Sequence, residues 1–91
     1  MPLYTFVMDY AGGTYVSQVK ATSPKSAVKR WASELPVDEI DKFGSASKAR
    51  LIKDVDDEVP IMIAGLSNVW CSTARIRGKL ALINFVRTAG S

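Results

Sequence analysis

Histidine is absent from this chain of 91 residues, and cysteine occurs once, as Cys71. The first absence removes Ser–His–Asp triads, Cys–His dyads and every histidine-built metal site together. The second excludes an internal disulfide and a structural zinc site made of thiolates. A secreted domain this small commonly needs covalent staples, so a cytoplasmic protein of a reducing compartment is expected. The longest apolar runs, such as IMIAGL and LALINFV, fall far short of the ~20 residues that span a bilayer. The opening MPLYTF has neither the basic nor the apolar region of a leader, and no membrane association is expected. There is no Walker pattern and no spaced acidic loop of the EF-hand kind, and no cofactor is expected.

What is present suits one α+β domain spanning residues 1–91. Apolar residues make up 47% of the chain and charged residues 23%, enough to build a core under an ordinary surface. The net charge of +3 conceals a segregation. Residues 1–37 carry four basic residues against two acids, and residues 38–58 carry four against seven. Residues 59–91 carry Arg75, Arg77, Lys79 and Arg87 with no acid at all. An acidic middle therefore separates two basic ends.

LYTFVMDY and TYVSQVKA, around AGG, read as a β-hairpin. With Gly12 and Gly13 at the central turn positions, Tyr10 faces Tyr15, Met8 faces Ser17, Phe6 faces Val19 and Tyr4 faces Ala21. That face is apolar, and the other, with Thr5, Val7, Asp9, Val16 and Gln18, is mostly polar. A helix follows over 24–35, capped by Ser23, opened by Pro24 and stopped by Pro36. Its stripe of Ala27, Val28, Trp31, Ala32 and Leu35 seats it on the hairpin. VDEIDKF reads as a helical turn capped by Asp38 with Ile40 and Phe43 inward, and GSAS as a loop.

Residues 46–55 fit helix or strand. A helix there would end on Asp54, Asp56, Asp57 and Glu58, the wrong sign for the negative end of its dipole, so a strand is expected. It would return as VPIMIAG, with Pro60 marking an edge. VWCSTARI and KLALINFVR form another hairpin around Arg77 and Gly78, pairing Ile76 with Lys79, Ala74 with Ala81, Ser72 with Ile83 and Trp70 with Phe85. The expected fold is a mostly antiparallel sheet of five or six strands with one main helix on one face. Its core would hold Phe6, Met8, Val19, Val28, Trp31, Leu35, Ile61, Ile63, Trp70, Ile83 and Phe85.

The second face of the later hairpin, with Val69, Cys71, Thr73, Arg75, Leu80, Leu82, Asn84 and Val86, is too apolar for open water and too polar for a deep core. Such faces are commonly covered by a loop, a second subunit or a partner. Cys71 has Asn84 opposite it and no evident activating base, so it reads as a small hydrophobe and not a nucleophile. The opening hairpin and its S-P-x-x-A helix start are similar in outline to the N-terminal unit of HicB-type antitoxins, over residues 3–35. The later chain departs from that family, and no functional residue is carried over.

The expected function is a non-enzymatic protein that binds a protein partner, of bacterial antitoxin or toxin-immunity type. Either the acidic stretch of Asp56, Asp57 and Glu58 or the face around Cys71, Thr73, Arg75 and Asn84 would make the contact, and a homodimer is compatible with either. The alternative is weak nucleic-acid binding by the basic hairpin through Arg75, Arg77 and Lys79. An enzyme using Cys71 or a carboxylate ranks third.

Overall fold

A computed structural model describes residues 1–88. The first hairpin pairs β1 (Leu3–Tyr10) with β2 (Gly13–Lys20). Next come α1 (Pro24–Glu34), a 3₁₀ turn (Val37–Glu39) and α2 (Ser45–Asp57). The short β3 (Ile61–Met62) precedes a second hairpin of β4 (Val69–Ile76) and β5 (Lys79–Arg87). All neighbours are antiparallel in one five-stranded sheet of order β2-β1-β5-β4-β3. The architecture is α+β, with two helices on one face where a single main helix was expected.

The first hairpin closes one position earlier than glycine content suggests. Ala11 and Gly12 occupy the turn at φ 50° and 83°, and Tyr10 pairs with Gly13, Met8 with Tyr15 and Phe6 with Ser17. The pairing has slipped by two residues, which leaves every side chain on its expected face. Gly13 is reserved for another purpose. A Cβ there would lie 2.6 Å from the Tyr15 hydroxyl, which sits across it and accepts the Asp41 N–H at 3.3 Å. The second hairpin turns through Arg77 and Gly78, both at positive φ, in the register the alternation predicts.

Helix α1 begins as expected. The Ser23 hydroxyl accepts the Ser26 N–H, and Ser26 returns the bond to the Ser23 N–H. Trp31 stacks on Phe6 at 5.1 Å between ring centroids and donates its indole N–H to Ser17 at 2.9 Å. The stack continues from Phe6 to Phe85 and on to Trp70, tying β1, β5 and β4 together beneath the helices. Ile40 and Phe43 turn inward as expected. The 3₁₀ turn is entered through Pro36 without a side-chain cap, so Asp38 does not cap it.

Residues 45–57, expected as a loop and a strand, form a helix. Ser47, Leu51 and Val55 recur at helical spacing and are all buried. The acidic end is tolerated because Lys25 reaches over from α1. Its ammonium donates to the carbonyls of Val55, Asp56 and Glu58, each at 2.9 Å, and supplies the cation that the helix terminus needs. Pairs Arg50–Asp54 and Lys53–Asp57, one turn apart, neutralise the acids locally.

The return strand is shortened to Ile61–Met62 at the sheet edge, as Pro60 foretells. Two residues expected in the core are not there: Ile61 is 69% exposed and Ile63 only half-buried. Leu51 and Val55 of α2 take the space assigned to them.

Candidate functional site

The helices leave the opposite face of the sheet uncovered. Register fixes which side chains share it, because paired residues point the same way. Val16 pairs with Val7, Val7 with Asn84, Asn84 with Cys71 and Cys71 with Ile61. One row therefore crosses all five strands with Asn84 as its only polar member. The row on one side runs Gln18, Thr5, Val86, Val69, and the row on the other Thr14, Asp9, Leu82, Thr73. Asp9 is the single charged side chain in these three rows, and Arg75 lies one row further on.

Side chains on this face shade one another without being covered. Val7, Leu82, Asn84 and Cys71 are half-buried, whereas Val16 is 65% and Leu80 53% exposed. Val59, 76% exposed, lines one hollow with Ile61 at the edge of the sheet. Asn84 makes no side-chain hydrogen bond among the described residues, so its amide is free to serve another molecule.

The structure brings Cys71, Thr73, Arg75 and Asn84 onto this face together, as the alternation of β4 and β5 predicts. What sequence reading missed is its other half, Val7 and Val16 of the first hairpin and Ile61 of β3. Each hairpin shows its own alternation, but only the β1–β5 pairing, which joins chain segments far apart, reveals that the two second faces are one.

Cys71 is half-buried, and its thiol lies 3.8 Å from the Ser72 carbonyl oxygen. Desolvation pushes its pKa up, the direction opposite to nucleophile activation. It borders a hollow of about 40 Å³ with Thr73, Val59, Ile61 and Glu58, room for little more than water.

The acidic stretch is engaged internally. Asp54 accepts from Arg50 with one oxygen, and with the other from the Arg75 backbone N–H at 3.0 Å, so it caps the edge of β4 that β3 leaves open. Asp56 pairs with Lys29 at 3.0 Å and Asp57 with Lys53 at 3.0 Å. The Lys29 hydrogen bond and charge hold the Asp56 carboxyl below its ordinary pKa. Glu58 contributes its carbonyl to Lys25.

The three basic residues of the second hairpin separate. Arg75 lines a hollow with Asp54, Asp57 and Glu58, and its guanidinium donates to the Gly78 carbonyl at 3.4 Å. Arg77 and Lys79 instead share a hollow with Lys42 and Tyr10. Lys42 is a cation that sequence order could not place there. Among the described residues, no His, Cys, Asp or Glu group could hold a metal ion, and no helix is long and apolar enough to cross a membrane.

Comparison with known protein families, characterised proteins and solved structures finds no match to this chain.

Proposed function

We propose that this chain is a non-enzymatic partner-binding domain, of the antitoxin or toxin-immunity type, and that the open face of the sheet is its contact surface. The observation that carries the reading is the Val16–Val7–Asn84–Cys71–Ile61 row. An antiparallel sheet packed on one side ordinarily turns polar and charged side chains to water on the other. Here most charges sit on the helices and loops, and the three central rows of the face hold Asp9 alone, a depletion that is the compositional mark of an interface core. The raised pKa of Cys71 and the internal pairing of the acids support a role without catalysis. The acidic stretch is the poorer contact of the two expected, because its carboxylates already have partners.

Native purification tests this reading. The tagged chain, expressed at its natural level, should recover a stoichiometric protein companion, a further copy of itself included. An Asn84→Arg variant that still folds should lose it. Recovery of the wild-type chain as a bare monomer contradicts the proposal.

A second reading, weak nucleic-acid binding, draws support from Lys42 standing with Arg77 and Lys79 around one hollow. Arg75, turned toward the acids, drops out of it. Three phosphate contacts support only salt-sensitive affinity of about 10⁻⁴–10⁻⁶ M. If the wild-type chain shows no salt-dependent binding to single-stranded RNA or DNA at low ionic strength, this reading fails.

A further inference from the structure

Resting on the reading of the open face as a contact surface, we propose that its occupant is a second copy of this chain, packed face to face about a two-fold axis running along β5. Three features of the face favour its own copy. Size is the first. The central row crosses five strands and its two neighbours cross four each, and at about 4.8 Å between strands and 6.7 Å between rows they span roughly 420 Å². Side-chain relief brings that to on the order of 600 Å² of accessible surface per copy, or about 1,200 Å² in all, at the lower end of the range of stable interfaces.

The second feature is self-complementarity. An axis along β5 exchanges the β1 side of the face with the β4 side. Val7 then meets Cys71 of the other copy, Val16 meets Ile61, and Leu82 and Val86 each meet their own counterparts. Apolar side chains meet apolar ones along the central row, and the packing angle of about 30° usual between sheets keeps Val7 near Cys71 while shifting the outer Val16–Ile61 meeting by about 5 Å. Asn84 falls on the axis opposite itself. A carboxamide carries a donor and an acceptor side by side, so two related amides can exchange a pair of hydrogen bonds, and Asn84 has no other side-chain bond among the described residues. A single such amide in an apolar seam fixes register.

Charge is the third. Asp9 sits on the β1 side and Arg75 on the β4 side, one row apart. The same axis carries each Asp9, which accepts from Thr14 in its own copy, to within about one row of the other copy's Arg75, so that opposite charges face each other across the rim.

The β2 edge offers a competing mode. Tyr10–Gly13 closes the hairpin as a hydrogen-bonded pair, so Thr14, Val16 and Gln18 present their backbone groups outward, and β2 has neither proline nor bulge to block strand addition. Sedimentation velocity from low micromolar to near-millimolar concentration separates these cases. It is to be run on the wild-type chain, Asn84→Arg, Ile61→Glu and Gln18→Pro, each checked for folding by its thermal transition. Ile61 is exposed enough that its variant cannot disturb the core. The proposal expects a wild-type mass twice the 9.9 kDa of one chain, at least a tenfold weaker dimer in Asn84→Arg and Ile61→Glu, and a clearly smaller loss in Gln18→Pro, whose side chain stands at a corner of the face.

A dimer lost only in Gln18→Pro overturns the proposal in favour of the edge. A wild-type monomer throughout the range also overturns it. If native purification then still recovers a different protein that Asn84→Arg loses, the partner-binding reading stands with another occupant. If it recovers none, both fall.

Discussion

Single residues here are placed by needs that lie outside their own neighbourhood. Ala11 holds φ 50° in a turn whose first position favours asparagine or glycine, while Gly13, one residue past the turn, clears the way for Tyr15. Ala11→Asn should therefore stabilise the fold by about 0.5–1 kcal/mol, read from the midpoint of chemical denaturation. Asp56 offers a titratable check on the helix pairing. Its folded pKa lies below the ordinary value because of Lys29, so the stability this pair contributes is present above the ordinary carboxylate range and is lost as pH falls through the folded pKa. The carboxyl should titrate below an ordinary aspartate when followed by NMR, and Lys29→Ala should return it to the ordinary range.

At the scale of elements, legibility depended on how local the deciding interaction was. The second hairpin has its register fixed by its own turn and alternation, and Trp70, Ala74 and Ile76 fall where that pattern puts them. The first hairpin slipped by two positions because the role of Gly13 is set by Tyr15 and Asp41. Helix α2 was misread as a strand for a sharper reason. The acidic end is unfavourable only if nothing answers it, and the answer, Lys25, lies about thirty residues away in another helix. Lys25→Met keeps the aliphatic stem and removes the cation. It should cost about 1–2 kcal/mol in denaturation and speed amide exchange in the last turn of α2. The helical assignment also reverses two expectations, since Ile61 was expected in the core and Leu51 was not. Leu51→Ala should cost about 2–5 kcal/mol, because the side chain is fully buried, whereas Ile61→Ala, at the exposed edge, should stay within about 0.5 kcal/mol when both are measured on the dissociated chain.

For the whole molecule, the two helices bury one face of a five-stranded sheet and account for the aromatic stack beneath them. They leave the other face, with Asp9 the one charge in its three central rows, uncovered among the described residues. Half of that face was legible from β4 and β5, where Cys71, Thr73, Arg75 and Asn84 alternate outward. The other half emerged only with the β1–β5 pairing, since no local pattern says which strands become neighbours. The acidic stretch proved largely self-neutralising, and the basic hairpin divided in two, with Arg75 apart from Arg77 and Lys79. Cys71 lies in the central row of the open face and so reports on whether that face is covered. The most direct test is its rate of modification by iodoacetamide in the wild-type chain, followed by mass spectrometry, in the native assembled state and again after dissociation by dilution. The account predicts modification at least several-fold slower in the assembled state. Equal rates in the two states would contradict it.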